Sequence, residues 1–178
     1  MRAVYRVRQF WRAVFLKTDP QDLAQAHEHL TPTQWSLFIQ LQPDEQAHAV
    51  SVFQKLLNHG ESQPDLLVAA LLHDLGKVKY RLNPLERTII VVAQAIFPRQ
   101  ARRIGSLPPG GWDGLPGWRK ALILADHHAE WGAELAHQAV VSPLTEALIR
   151  RHQHPSQPVP GEPENSLLHK LWLVDNDS

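Results

Sequence analysis

Apolar residues recur at helical spacing along most of the chain, and no segment shows the strict alternation of a half-buried strand. Between residues 43 and 58, the apolar side chains fall on one stripe of a helix that stops at Gly60. The pairs Thr31-Pro32 and Ser142-Pro143 each provide an N-cap residue followed by proline at the first helical position. The pattern therefore predicts an all-α fold.

The other helices follow from the same periodicity. A helix is expected from Pro64 through the run LLVAALLHD, with Gly76 ending it. A helix that starts near Pro84 is expected to run towards Ile104, and residues 118–140 are expected to form a long helix, either continuous or broken. Further helices are expected near residues 5–15 and at residues 166–175, the latter packing inward through Leu167, Leu168, Leu171 and Leu173 or Val174.

Two segments rich in turn-forming residues interrupt the helices, SLPPGGWDGLPG at residues 106–117 and QHPSQPVPGEP at residues 153–163. The first segment contains Trp112 as its one large apolar group and directly precedes the helix at residues 118–140. We expect it near the mouth of a functional pocket, either as a mobile lid or as an exposed connector.

The length and composition are those of a single globular unit. A chain of 178 residues with 43% hydrophobic residues can bury one hydrophobic core. We expect a compact single-domain helical bundle, in which N-terminal helices within residues 1–45 pack on a unit formed by residues 46–178.

Balanced charge narrows the classes of partner. The chain has 18 Lys and Arg and 18 Asp and Glu residues, so no net charge draws it to nucleic acid or to a membrane surface. The longest apolar stretch, residues 88–97, is too short to span a bilayer. The absence of cysteine excludes disulfides and thiolate metal ligands. We therefore expect a cytoplasmic protein without a membrane or nucleic-acid partner.

Histidine is the unusual component of the composition, with 11 residues against one methionine. His73 and Asp74 end the apolar run LLVAALL, where a buried charge costs several kcal/mol unless it is paired or binds a metal. Other ligand-type residues lie on separate predicted helices, and a helical bundle can bring such residues to one interior point. The candidate metal ligands are His48, His73, Asp74, His128, His152 and Asp175.

The chemistry of this set favours divalent metal ions. Nitrogen and oxygen ligands without sulfur suit Mn, Fe, Ni, Mg or Zn, and one bridging carboxylate would let two ions share the set. Each histidine taken alone is more often a satisfied core residue, and only the joint pattern favours ligands. His127 and His128 point about 100° apart on a helix, so we expect only His128 to face the site. His154, in the second loop, is either a surface residue or a ligand at the rim.

The order of these motifs resembles that of the HD superfamily of metal-dependent phosphohydrolases. The resemblance covers residues 46–176: His48, then His73-Asp74 with Gly76-Lys77, then His128 with Gly132, then His152, then Asp175. It implies an all-α core in which one ion is bound by His48, His73, Asp74 and Asp175. A second ion would be bound by His128 and His152, with Asp74 bridging the two.

The resemblance implies hydrolysis of a phosphoester by a metal-activated hydroxide, with a nucleotide as the expected small-molecule substrate. Asp74 would be the bridging catalytic carboxylate. From their positions beside His73-Asp74 and His152, Lys77 is expected to act in catalysis by binding a phosphate oxygen and Arg151 to contact the substrate; the alternatives are a surface lysine and a solvated helix end. The segment HAEWGAEL also resembles the HD-GYP branch, but the chain has no GYP element after His152-Gln153-His154. A cyclic dinucleotide phosphodiesterase and a non-catalytic domain that binds metal or nucleotide therefore remain as alternatives.

Overall fold

The structure is a computed structural model that describes residues 18–153 and 163–178. The helix predicted near residues 5–15, most of the loop predicted at residues 153–163, and His154 lie outside the described residues. Every regular element in the described part is a helix, so the all-α prediction is confirmed. The elements are α1 (Pro20–Glu28), α2 (Pro32–Phe38), α3 (Pro43–Asn58), α4 (Pro64–Leu72), the 3-10 helix η1 (Leu75–Lys79), α5 (Pro84–Ile96), α6 (Pro98–Gly105), α7 (Gly117–Gln138), α8 (Pro143–Arg151) and α9 (Pro163–Asn176).

Local sequence sets most helix starts. Proline occupies the first turn of α1 to α6 and of α8, where its missing N–H would have no helical partner. Thr31 and Asn83 form reciprocal capping boxes, and the Ser142 hydroxyl accepts a hydrogen bond from the Thr145 amide. The predicted caps at Thr31 and Ser142 are therefore confirmed.

Three predicted boundaries differ from the structure or are resolved by it. Helix α4 ends at Leu72 rather than at Gly76, because the chain tightens at His73-Asp74 into η1. The helix expected from Pro84 towards Ile104 is instead two helices, broken at Phe97 because Pro98 cannot continue the hydrogen-bond ladder. Residues 117–138 form one continuous helix, and no described helix is long and apolar enough to cross a membrane.

One main hydrophobic core contains residues from helices in both the N-terminal and the C-terminal parts of the described chain. Leu66, Leu71 and Leu72 of α4 pack with Phe53 of α3 and Ile149 of α8. Ala26 and Phe38 of α1 and α2 belong to the same core. In α9 the inward residues are Leu168, Leu171 and Val174, whereas Leu173 is exposed. Each fully buried Leu, Ile or Phe side chain contributes about 1.5–3 kcal/mol through the apolar area removed from water.

The loop at residues 106–117 is tied to the protein by its tryptophan. The Trp112 ring lies 4.8 Å from the Trp131 ring of α7 and 6.0 Å from the Tyr80 ring, measured between centroids. These rings adjoin a small second core that includes Leu82 and Leu124. This packing of Trp112 between the middle of α7 and Tyr80, which follows η1, is the behaviour of a packed connector.

A close crossing of η1 and α7 sets the position of the His73-Asp74 turn. A Cβ atom placed on Gly76 would overlap the carbonyl oxygen of His128 and lie 2.8 Å from the amide nitrogen of Gly132. A Cβ atom on Gly132 would lie 3.0 Å from the Gly76 nitrogen. Gly76 therefore serves close backbone approach instead of helix termination, and the close approach predicted for Gly132 is confirmed.

Replacing Gly76 by alanine is expected to push η1 away from α7 and so separate Asp74 from His128. The overlap is with backbone, which cannot rotate aside, so the free energy of unfolding should fall by about 1–3 kcal/mol or more. Thermal unfolding and metal titration of the variant would measure both effects.

The matched control is Gly110→Ala, because a Cβ atom at Gly110 meets nothing within 4 Å. Equal melting temperatures and metal affinities for the two variants would contradict the role given to the crossing.

Candidate metal centre

The six predicted metal ligands converge from five separate segments of the chain. His73 is the C-cap of α4 and Asp74 the N-cap of η1, while His152 is the C-cap of α8. His48 lies within α3, His128 within α7 and Asp175 near the end of α9. Residues distant in sequence therefore meet at one point, as the joint pattern predicts.

One cluster contains His48, His73 and Asp175. Oδ1 of Asp175 lies 2.8 Å from Nε2 of His48 and 3.4 Å from Nε2 of His73. Oδ2 of Asp74 completes the group at 3.4 Å from Nε2 of His73 and 4.0 Å from Nε2 of His48. Ligand atoms bound at about 2.1 Å to one ion stand about 3.0–3.4 Å apart, so this spacing fits a metal site.

A second cluster contains Asp74, His128 and His152, whose ligand atoms lie within 4.8 Å of one another. Oδ1 of Asp74 lies 3.2 Å from Nε2 of His128, and the His128 and His152 ring centroids are 5.3 Å apart. All three residues are buried.

Asp74 belongs to the second cluster, and its other oxygen approaches the histidines of the first. Its Oδ2 faces His73 and His48, and its Oδ1 faces His128. A carboxylate with its two oxygens directed at two ligand groups has the geometry of a bridging ligand.

Backbone carbonyls orient three of the imidazoles. Nδ1 of His73 lies 2.9 Å from the Ala70 oxygen, Nδ1 of His128 lies 3.1 Å from the Leu124 oxygen, and Nδ1 of His152 lies 2.7 Å from the Ile149 oxygen. A carbonyl oxygen can only accept, so each Nδ1 carries the proton and donates. In its neutral form each ring directs an Nε2 lone pair into the site, and this is the form that binds metals.

The buried carboxylates are held ionised by the cations around them. Burial alone would raise the pKa of Asp74, but Lys77 and His73 hold it well below its usual range. Burial acts in the same direction on Asp175, yet His73 and His48 keep its pKa well below the ordinary value. Two anions of this kind prepare the site for cations.

The two histidines that face these anions differ in protonation. Burial lowers the pKa of His73, but the attraction of Asp74 and Asp175 outweighs it and raises the pKa well above the ordinary value. Burial, together with His73 and His128, lowers the pKa of His152 to about 3. His152 is therefore neutral near pH 7, whereas the two carboxylates favour the protonated form of His73.

One buried nitrogen fits the role of a metal ligand. Nε2 of His73 has no hydrogen-bond partner of good geometry, although it lies 3.4 Å from carboxylate oxygens on two sides. A buried polar atom without a partner costs about 1–3 kcal/mol, and a divalent ion bound by those oxygens would satisfy it. The nitrogen and oxygen donors fit Mn, Fe, Ni, Mg or Zn.

A chain of charged residues extends from the ligands. Nζ of Lys77 lies 2.7 Å from Oδ2 of Asp74 and 2.8 Å from Oε2 of Glu45, and Glu45 in turn pairs with Arg87. Burial lowers the pKa of Lys77, but Asp74 and Glu45 outweigh it and raise the pKa above the ordinary value. The sequence did not reveal Glu45 or Arg87, because an acidic residue in a first helical turn is ordinary.

The ligands open into a cavity of about 460 Å³. His48, Asp74, Lys77, His128, His152 and Asp175 line its floor, and Gln94, Pro98, Ala101 and Arg102 of α5 and α6 form part of its wall. Among the residues described, those at 106–117 do not line it, so the loop that the sequence indicated is not part of the cavity lining.

Two further expectations concern neighbouring side chains. Arg151, which was expected to contact the substrate, pairs with Glu164, and its Nη2 donates to Oδ1 of Asn165 at 2.9 Å. Within the described ranges, the arginine that lines the cavity is Arg102. His127 stacks on Trp131 at 5.5 Å between centroids, while its neighbour His128 faces Asp74, as the helical geometry predicts.

Comparison with known proteins adds no relative. No protein-family model, curated protein or solved structure matches the chain. The geometry of this site and the resemblance in motif order are therefore the two grounds for inferring a function.

Metal affinity is expected to rise with pH, because His73 must lose its proton before Nε2 can bind an ion. Below the raised pKa of His73, one released proton corresponds to about a tenfold gain in affinity per pH unit. Titration with Mn or Zn between about pH 6 and pH 8 would measure this slope.

Calorimetry in buffers of different ionisation enthalpy should show the same proton directly. His59→Ala, which changes an exposed histidine at the end of α3, is the control and should keep the wild-type slope. An affinity that does not vary with pH would contradict the assignment of His73 as a ligand.

Proposed function

We propose that this protein is a two-metal phosphohydrolase of the HD type that cleaves a phosphoester, with a nucleotide as the substrate class. The observation that carries the proposal is the position of Asp74, whose two oxygens face two separate groups of metal ligands. The motif order over residues 46–176, which resembles the HD superfamily, supports the same conclusion.

The bound ions would supply Lewis acidity, which lowers the pKa of water and stabilises charge on phosphoryl oxygens. The protein's part is to fix the spacing and direction of the ligands. Asp74 sets the spacing through its two oxygens, and the Nδ1 donors of His73, His128 and His152 fix the ring orientations. Such preorganisation avoids reorganisation when charge develops on the substrate.

Two cationic side chains suit the substrate's negative charge. Lys77 lies on the cavity floor beside Asp74, so its ammonium group can reach a phosphoryl oxygen without leaving the site. Arg102 lies on the wall, where a guanidinium can bind a second anionic group in two-pronged fashion. Trp172 at the cavity edge offers a flat surface for a base.

The proposal is tested by incubating the metal-loaded protein with nucleotides, cyclic dinucleotides and an aryl phosphate. Hydrolysis of nucleoside phosphates is the expected result. Cleavage of a cyclic dinucleotide alone would instead assign a phosphodiesterase of that kind. Tight binding of a nucleotide without turnover would assign a regulatory domain, and both outcomes would overturn the present proposal.

Asp74→Asn is expected to abolish hydrolysis, because it keeps the side chain's shape but removes the charge shared between two cations. The loss should equal or exceed about 1,000-fold in kcat, and the number of ions bound should fall. Phosphate release and elemental analysis measure the two effects. His59→Ala, outside the site, should behave as wild type, and full activity in Asp74→Asn would exclude a two-metal mechanism.

Lys77→Ala is expected to lower kcat by about 10- to 1,000-fold while the ions still bind, since all six ligands remain. Lys77→Arg should recover part of the activity, because it restores the cation. If alanine left kcat unchanged, Lys77 would only pair Asp74 with Glu45, and the phosphate would be held by the ions and by Arg102.

A further inference from the structure

Helix α5 buries two charged residues and exposes three of its apolar residues, while Ile90 packs against the second core. Glu86 and Arg87 are buried, whereas Leu85, Val92 and Ile96 are 70%, 39% and 56% exposed. These three apolar residues are spaced by seven and four positions, which places them on one side of a helix. The most apolar segment of the sequence therefore presents a stripe to solvent, the reverse of an ordinary surface helix.

Polar contacts hold α5 in this orientation. Arg87 pairs with Asp44 at 2.8 Å and with Glu45, and its Nη2 donates to Oε1 of Gln42 at 3.2 Å. Glu86 accepts from the Tyr80 hydroxyl at 2.7 Å. Rotating the helix to bury its apolar stripe would break these contacts and leave buried charges without partners. The ion pairs therefore favour the orientation in which the stripe is exposed.

The stripe continues across the corner into α6. Phe97, 57% exposed, stands between the two helices, and Arg99 and Arg103 lie on the outer side of α6. The inner side of α6 carries Ala101 and Gly105, and a Cβ atom on Gly105 would lie 2.8 Å from the Leu122 carbonyl oxygen. The close contact of this inner side with α7 leaves Arg99 and Arg103 exposed on the opposite side of α6.

Positive charge is also exposed on this pair of helices. Arg99, Arg102 and Arg103 of α6 are exposed, and residues 79–120 contain eight Lys and Arg but two Asp and Glu residues, although Arg87 is buried in ion pairs. A second copy docking through this face would bring like charges together. Nucleic acid would match the charge but would gain nothing from an apolar stripe. An anionic lipid surface matches both features.

We propose that the α5–α6 hairpin, residues 84–105, docks the protein on anionic phospholipid membranes. The apolar stripe would enter the headgroup boundary and the arginines would contact lipid phosphates. The same hairpin provides Gln94, Pro98, Ala101 and Arg102 to the cavity lining, with Gln94 on the side of α5 opposite the stripe. The inference concerns attachment to one face of a bilayer and does not depend on the proposed hydrolysis.

Flotation of the full-length, metal-free protein with vesicles tests the proposal. Vesicles of phosphatidylcholine with about one third phosphatidylglycerol should bind the protein at least tenfold more tightly than phosphatidylcholine alone. Binding should weaken as salt is raised from about 0.1 M to about 0.5 M. Because metal is absent, the outcome is separate from that of the hydrolysis assays.

Two pairs of variants divide the apolar and charged contributions. The double variant Ile96→Ser with Phe97→Ser should lose at least tenfold in vesicle affinity, whereas Val140→Ser, which removes an apolar side chain 86% exposed after α7, should not. Arg99→Glu should weaken binding more than Lys55→Glu, which makes the same change in net charge. Lys55 lies at the far end of α3 from Glu45, the residue that contacts Arg87.

Three outcomes would overturn the proposal. The first is no binding to anionic vesicles, and the second is equal binding by the Ile96→Ser, Phe97→Ser variant and by the wild type. The third is a dimer in light scattering that the same double variant dissociates while vesicles bind nothing, which would assign the stripe to a second copy of the chain. Circular dichroism of each variant establishes that it is folded.

Discussion

Burial of the Asp74 carboxylate is the constraint on which the rest of the site depends. An unpaired carboxylate with 3% exposure would cost several kcal/mol, and Asp74 is stable because His73, Lys77 and His128 surround it. These partners come from the end of α4, from η1 and from α7. The charge can be buried only if the three elements converge, so the electrostatics of the site and the packing of the bundle are one requirement.

Small residues make that convergence possible. Gly76 and Gly132 allow η1 and α7 to approach until backbone meets backbone, which brings His128 to 3.2 Å from Asp74. The rings of His73, His128 and His152 are each oriented by a backbone carbonyl three or four residues earlier in the chain. The arrangement stores unfavourable interactions, including the unpartnered Nε2 of His73. Such concentrations of perturbed charge are typical of functional sites and are weak contributors to stability.

The same charge network reaches the outer surface of the protein. Lys77 joins Asp74 to Glu45, and Glu45 joins Arg87, which anchors the inner side of α5. The ion pairs that serve the site thus also decide that Leu85, Val92 and Ile96 face solvent. One chain of contacts links the interior ligands to the proposed docking surface, and α5 and α6 form both that surface and part of the cavity wall.

Local sequence determined the helices and the identity of the candidate ligands. Caps such as Thr31 and Ser142, first-turn prolines and apolar periodicity act over a few residues, so they can be recognised without a fold. The joint order of His48, His73-Asp74, His128, His152 and Asp175 likewise stands in the sequence. Their meeting at one point was expected on that basis and is observed in the structure.

Tertiary structure alone decided the features that depend on contacts between distant segments. Periodicity predicted a helix from Pro84 but not that Arg87 would be buried, because its burial depends on pairing with Glu45 and Asp44 in α3. Gly76 suggested a helix end, whereas its real role is set by the backbone of α7. The local sequence does not show which of Arg151 and Arg102 reaches the cavity. Packing pairs Arg151 with Glu164 and places Arg102 in the cavity lining. Caps and helical periodicity depend on residues close in sequence, so the sequence shows them. Contacts between side chains of distant segments form only when the folded chain brings those segments together.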